Sequence, residues 1–315
     1  MRIKVISKQL RIKFSISLLT TNHCLLTTIY LTLQSDRRSR PHTSKARSAA
    51  LTASNYYLYR MLHPSAFVHP LAKVHESASV GPWCLVDEGA EIGPGVILES
   101  RVHVYGGVSI AANTHVYDGA VLGAPPQDLK YAGEPTRLEI GENCIIREYC
   151  TLNRGTVQGG GCTRIADGVL IMAYAHVGHD CEIGTHAVIS NGCQLGGHVR
   201  IGEYATLGGV TGVQQRNQVG AYAFVGGTLK VDRDVPPASR AFGIPPKWGG
   251  LNLHALRLHV NEFPPSRIDA LSRAFHELYR SSRPIAEVVE ELKKGPEPLF
   301  QTFFDDHWSG TLIRP

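Results

Sequence analysis

Between Val68 and Leu122 every sixth residue is aliphatic: Val68, Val74, Val80, Val86, Ile92, Leu98, Val104, Ile110, Val116 and Leu122. Two positions before each stands a small or β-branched residue, from Ala66, Ala72 and Ala78 through Cys84 and Ala90 to Thr114 and Ala120. The register returns at Ile140, Ile146 and Leu152, then runs without a gap from Ile165 through Val177, Ile183 and Leu195 to Val225. A period of six is neither the 3.6 of a helix nor the 2 of a simple strand. It predicts a parallel β-helix, in which each hexad forms one flat side and three hexads complete a coil. The aliphatic residue and the small one before it point inward and stack on their equivalents eighteen residues away. At the usual strand spacing, some twenty-four hexads make a prism of roughly eight coils, about 40 Å tall.

Two stretches break the period. GAPPQDLKYAGEPTR (123–137) carries Pro, Gly and mixed charge, and RGTVQGGGC (154–162) is rich in glycine. Insertions into a solenoid become surface loops, often on the binding face. The second lacks the Lys-Ser/Thr and helix that a nucleotide P-loop requires. After VDRDVPP (231–237) the character changes. PPKWGGLNLHALRLHVNEF, PPSRIDALSRAFHELYRSS and RPIAEVVEELKKG have helical spacing with Pro starts and a Gly stop, predicting a small α-helical domain over 238–315 that caps the last coil. Of the seven cysteines, Cys84, Cys144, Cys150, Cys181 and Cys193 fall at the small inward position and are expected to be buried, reduced core residues.

Charge divides the chain at the start of the repeat. Residues 1–61 hold eleven Lys or Arg and one acid, Asp36, a net +10 that leaves 62–315 at −5. An acidic body argues against non-specific nucleic-acid binding. The leader, 1–60, is rich in Arg, Ser and Thr and poor in acid. It reads as a transit segment, disordered or removed, with mitochondrion expected before plastid. Its uncharged run at 14–33 raises a membrane anchor or signal peptide as alternatives, but Asn22, His23 and several threonines make it a poor hydrocarbon span. Domain boundaries are therefore set at 1–60, 61–237 and 238–315.

The densest candidate chemistry is AHVGHDCEIG (175–184). With Val177 and Cys181 inward, His176 and His179 lie outside the core. Gly197 falls eighteen residues after His179, so its backbone N–H is about one strand spacing from the base of that histidine. An imidazole suits proton transfer near neutral pH, and the adjacent Asp180 could hold its tautomer. A zinc site built on His176 and His179 would need a third ligand from another coil or chain, and no metal is expected. A solvated surface histidine remains the plain alternative.

PQDLKYAGEPTR (126–137), TLNRGTVQGGGCTR (151–164), AHVGHDC (175–181), LGGHV (195–199) and RDVPP (233–237) together resemble the family of acyl-carrier-protein–UDP-N-acetylglucosamine O-acyltransferases of lipid A synthesis. The resemblance runs from about Met61 to the terminal LIR. It implies a left-handed coil, a homotrimer with sites between prisms, and no cofactor beyond the acyl carrier protein thioester as co-substrate. The implied reaction moves an (R)-3-hydroxyacyl chain from acyl carrier protein to the 3-hydroxyl of UDP-N-acetylglucosamine. His179 then matches the general base, Asp180 its supporting carboxylate and Gly197 the oxyanion donor. Asp128, Lys130, His176, His198, Gln215 and Asn252 match substrate contacts, and Gly227 the floor of the acyl groove. Gln214, His254, Leu258 and His259 depart from the family pattern where the nucleotide is held. Arg216, Lys230, Arg233, Arg240 and Lys247 are candidates for docking an acidic carrier protein. The related N-acyltransferase, which normally has a further uridine-binding domain, and a non-catalytic or metal-binding trimeric hexapeptide protein are the alternatives.

Overall fold

A computed structural model describes residues 62–305, 308 and 310–315, with the backbone of strands Lys4–Ser7, Leu10–Thr21 and Cys24–Leu31. Those three strands pair antiparallel in chain order and form a unit by themselves, where the sequence reading placed no element. The remainder of 1–61, with the expected processing boundary, lies outside the described residues.

From Phe67 to Val231 the chain is a parallel β-helix of short strands. Successive strands go to three different sheets, of nine, eight and ten strands, and each pairs with the strand one coil on. Val177, for example, stands beside Leu195, and Ile183 beside Ile201, an eighteen-residue step. The inward positions are essentially closed to solvent: Val86, Leu98, Ile146, Val177 and Val225 are all fully buried. In the first coil Ala66, Val68, Ala72 and Val74 are only partly covered, because a terminal coil has no neighbour beneath it. The five inward cysteines are buried and unpaired, and Cys162 joins them. Burial pushes the Cys181 thiol up to about 12, which suits an inert core residue.

From Trp83 onward most corners of the prism turn through one residue in the left-handed region. Trp83, Arg101, Tyr174, Asp180, His198 and Arg216 hold such angles, with φ of 58° at Asp180 and 59° at His198. Asparagine and aspartate adopt this region most readily among residues with a Cβ, so the repeat gives Asp180 a conformation its side chain favours.

The boundary at 238 needs correction. Residues 238–252 are not helical: Ser239–Phe242 and Lys247–Leu251 are antiparallel strands that extend the ten-stranded sheet. Gly243, at φ 85°, and the Gly249–Gly250 pair disfavour a helix there. Four helices follow: α1 (Leu253–Leu258), α2 (Pro265–Arg280), α3 (Ile285–Lys294) and α4 (Pro298–Phe303). Pro265 opens α2 and Gly295 ends α3, as the sequence predicts. Their core of Leu256, Phe263, Leu271, Phe275, Phe300 and Phe304 includes Tyr222 and Ala238 from the last turns of the β-helix. The helices thus cap the top of the prism.

The C-terminal tail closes the same end. Leu312 bridges Asp234, the Ile313 N–H donates to the Asp234 carbonyl at 3.0 Å, and Tyr279 donates its hydroxyl to the Ile313 carbonyl at 2.9 Å. Ile313 is 1% exposed within the core column. Ile313→Ala should destabilise the fold by about 2–5 kcal/mol, the usual range for truncating a buried aliphatic residue. Urea unfolding should show a lower midpoint with an unchanged slope.

Candidate active site

The corner geometry explains why chemistry collects at residue 179. In each hexad the second residue after the inward aliphatic one leaves its N–H outside the coil-to-coil ladder. Pro82 and Pro94 occupy this place, and neither has an N–H to lose. His179, Gly197 and Gln215 are its occupants on three successive coils. Among the described residues the Gly197 N–H has no hydrogen-bond acceptor, while its carbonyl accepts from Arg216 at 3.0 Å.

The His179 ring lies across Gly197. A Cβ on Gly197 would come within 2.5 Å of Cε1 and Nε2 of the imidazole, so only glycine fits beneath it. On its other side His179 Nδ1 is 2.7 Å from Asp180 Oδ2, with both residues buried. The carboxylate is anchored further by the second loop. Thr156 donates its N–H to Oδ1 at 2.7 Å and its hydroxyl to Oδ2 at 2.6 Å. Thr163 Oγ1 accepts the Asp180 N–H at 2.8 Å. The loop 154–162 is therefore a clasp over Asp180. A Cβ on Gly159 would fall 2.0 Å from the Asp180 carboxyl carbon.

His176 and His198 flank this pair. His176 Nδ1 lies 2.8 Å from Thr151 Oγ1, and His198 meets the His179 ring edge-on at 5.1 Å between centroids. Burial holds both below the ordinary histidine value, and at His198 the Asp180 carboxylate partly offsets it. Asp128 on the first loop also acts electrostatically on His198, which places that loop beside the histidines. Within it, the Asp128 carboxylate accepts the Lys130 N–H at 2.9 Å, and the Lys130 side chain is exposed. Asn153 fixes the loop's root by donating to the carbonyls of Ala124 and Pro125. Gln215 is exposed one coil above Gly197.

Two predicted residues stand apart from this cluster. Gly227 sits one corner away, across the nine-stranded face, stacked on Gly209, where a Cβ would come 3.0 Å from the Gly209 carbonyl oxygen. Asn252 is 8% exposed and caps α1, accepting the Ala255 N–H and donating to the Tyr222 carbonyl at 2.9 Å. Its amide is used within the chain. Of the positions that depart from the family pattern, Gln214, His254 and Leu258 are exposed. His259 packs edge-on against Tyr204 at 4.3 Å, an aromatic contact that accounts for a ring at this place. Arg216, Lys230, Arg233, Arg240 and Lys247 are all exposed, and none enters an ion pair among the described residues.

His179, Asp180 and His198 each present a possible metal ligand, with the three atoms within 4.8 Å of one another. The two Asp180 oxygens, however, already accept from the Thr156 N–H, from the Thr156 hydroxyl and toward His179 Nδ1. A cation would have to displace those donors, so the set fits a hydrogen-bonded dyad better than a metal centre. Thr156 is the functional candidate that sequence reasoning missed. Its signal was a hydroxyl residue among glycines, in a loop that breaks the period.

Residues 162–197 match the family described as bacterial transferase hexapeptide (six repeats), and 234–305 match the second domain of UDP N-acetylglucosamine O-acyltransferase. The acyl-[acyl-carrier-protein]–UDP-N-acetylglucosamine O-acyltransferase of Alkalilimnicola ehrlichii is 40% identical over 174 residues, which are 55% of this chain and 67% of that one. The same enzyme of Verminephrobacter eiseniae is 39% identical over 177 residues, 56% of this chain and 67% of the relative. The solved UDP-N-acetylglucosamine O-acyltransferase of Moraxella catarrhalis superposes with a TM-score of 0.75 at 37% identity, covering 80% of this chain and 99% of that one. The Arabidopsis UDP-N-acetylglucosamine acyltransferase gives 0.67 at 29% identity, covering 81% and 99%. With the hexapeptide repeat and the C-terminal domain both matched and the relatives covered over two thirds of their length or more, the chain belongs to the acyl-[acyl-carrier-protein]–UDP-N-acetylglucosamine O-acyltransferase family.

Proposed function

We propose that this chain transfers an (R)-3-hydroxyacyl group from acyl carrier protein to the 3-hydroxyl of UDP-N-acetylglucosamine, the first step of lipid A biosynthesis, with His179 as general base. The observation that carries the base is the placement of one imidazole. Its Nδ1 faces the buried Asp180 carboxylate at 2.7 Å, and its Nε2 edge lies over a glycine with an unused N–H.

In this reading Nε2 takes the proton of the sugar hydroxyl as its oxygen attacks the thioester carbonyl. The Asp180 carboxylate stabilises the imidazolium that forms. The Gly197 N–H donates to the oxyanion of the tetrahedral intermediate. Collapse breaks the carbon–sulfur bond, and His179 returns its proton to the departing thiolate. His176 and His198, kept neutral by burial, offer hydrogen bonds to the sugar without a competing positive charge. Asp128 and Lys130 would cover the site from the first loop, and Gln215 would extend it by one coil. Gly227, across the nine-stranded face, would leave room for the acyl chain. The five unpaired cations at the top of an otherwise acidic body suit an acidic carrier protein. The same reading takes the active assembly as a homotrimer, and takes the basic leader as an address for an organelle, mitochondrion before plastid, on composition alone.

His179→Ala should lower turnover on the order of 10²–10⁴ while leaving the assembly intact. Mass spectrometry of acyl-UDP-N-acetylglucosamine, with size-exclusion chromatography on the same protein, checks both halves. An unchanged rate would remove the base. Gly197→Ala should push the imidazole aside, because the new methyl would lie 2.5 Å from its ring atoms. The expected outcome is a loss in kcat with the fold retained.

His176 gives a pH prediction. The unfolded chain takes up its proton near the ordinary value of 6.5, while the folded, buried ring stays neutral to lower pH. Stability is therefore whole above about pH 6.5, falls as pH drops below it and levels off beneath the folded value. His176→Gln should flatten the fall in melting temperature between about pH 7 and pH 5 relative to the unaltered protein.

A further inference from the structure

We infer that Thr156 is a positioning residue that sets the tautomer of His179 through Asp180, with the glycine loop 154–162 as its frame. This rests on the reading of His179 as the base. The Gly159 N–H, which can only donate, is shared between the Thr156 carbonyl at 3.1 Å and Thr156 Oγ1 at 3.2 Å. With that contact accepted, the hydroxyl proton is free to go to Asp180 Oδ2, 2.6 Å away. The Thr156 N–H, a second obligate donor, fills Oδ1 at 2.7 Å. Two donors from one residue thus claim both oxygens of a carboxylate, which only accepts.

The remaining close contact, His179 Nδ1 to Oδ2 at 2.7 Å, must then have nitrogen as the donor. Nδ1 carries the hydrogen, and Nε2 is left with its lone pair on the edge that overlies Gly197. A chain of donors running from Gly159 through Thr156 to Asp180 therefore decides which nitrogen faces the substrate. The clasp fits closely, and glycine is required at both points of contact. A Cβ on Gly155 would meet Asp180 Oδ1 at 2.7 Å, and one on Gly159 would meet both oxygens at 2.3 Å. Thr156 also caps the short 3₁₀ turn Val157–Gly159, so the turn and the clasp share one hydroxyl.

The titratable groups that act on His179 are Asp180, His176 and His198, and Arg216 and Asp128 act on His198 in turn. None of them changes in Thr156→Val, which keeps the shape and the backbone N–H but removes the hydroxyl. Asp180 Oδ2 then loses one of its donors and is left to the His179 ring alone. The expected results are a fall in kcat of about 10- to 100-fold, KM for the nucleotide sugar within about twofold, and an acid limb of kcat/KM moved to higher pH. Thr156→Ser should restore both kcat and the limb. Imidazole ¹⁵N NMR should show the His179 Nδ1–H form as the single neutral tautomer in the unaltered protein and a mixture in Thr156→Val.

A Thr156→Val protein with unaltered limb, kcat and tautomer would overturn the assignment. So would one that loses activity only in proportion to a lost folded fraction, with the limb unmoved. His179→Ala separates the two levels of the argument. Full activity there overturns the base itself, whereas an inactive His179→Ala beside an unaffected Thr156→Val overturns only the clasp.

Discussion

Everything in this molecule depends on the hydrogen-bonded stacking of coils at an eighteen-residue interval. A two-residue strand cannot stand alone; each survives because the strands above and below satisfy its backbone groups and cover its inward side chain. The same stacking sets the corners. A residue two places after the inward aliphatic one leaves its N–H outside the ladder, and beyond the first coil the next usually turns through the left-handed region. His179 and Asp180 occupy those two places, so their relative direction is inherited from the coil. One coil on, the same rule delivers the free N–H of Gly197 beneath the imidazole. An arrangement of imidazole, carboxylate and backbone donor that many folds assemble from distant loops here comes from adjacent repeats and one insertion.

The repeat alone does not finish the site. A corner on a prism face is wet, and a carboxylate there would be solvated and mobile. The break in the period at 154–162 changes this by laying a loop over Asp180 and leaving its side chain 1% exposed. The other break, at 123–137, brings Asp128 within electrostatic reach of His198. Asn153 and Arg154 tie the two insertions together through the carbonyls of Gly123, Ala124 and Pro125. Regular coils position the groups, and irregular segments control their exposure to water.

This division explains what could be read from the sequence. The inward positions, the three-sheet architecture and the burial of the cysteines follow from a period that one chain displays plainly. So does the facing of His179 and Gly197, since both occupy a defined place in the hexad. Thr156 could not be reached in that way. It lies outside the period, and its two bonds to Asp180 span twenty-four residues across an insertion whose path the repeat does not determine. The error at 238–252 has a related cause. Once the hexad period ends, Pro and Gly near an apolar stretch mark a change of element without saying which. There the sheet continues through Ser239–Phe242 and Lys247–Leu251 before any helix begins. Asn252, expected as a ligand contact, is the cap at which that change occurs.

The departures from the family pattern fall on this same line between coil and cap. Gln214 lies at the edge of a coil, while His254, Leu258 and His259 belong to α1 and its end. None of them contacts the His179–Asp180 pair, whose partners come from the coils and the 154–162 loop. A helix held by an aromatic core, with His259 against Tyr204 and Leu256 buried beneath, can change its exposed face without moving a coil. Substitution on the exposed face of α1 is thereby separable from the geometry of the His179–Asp180 pair. On the proposed reading, differences at Gln214, His254 and Leu258 bear on how the nucleotide is held, and the stacking that orients His179 is indifferent to them.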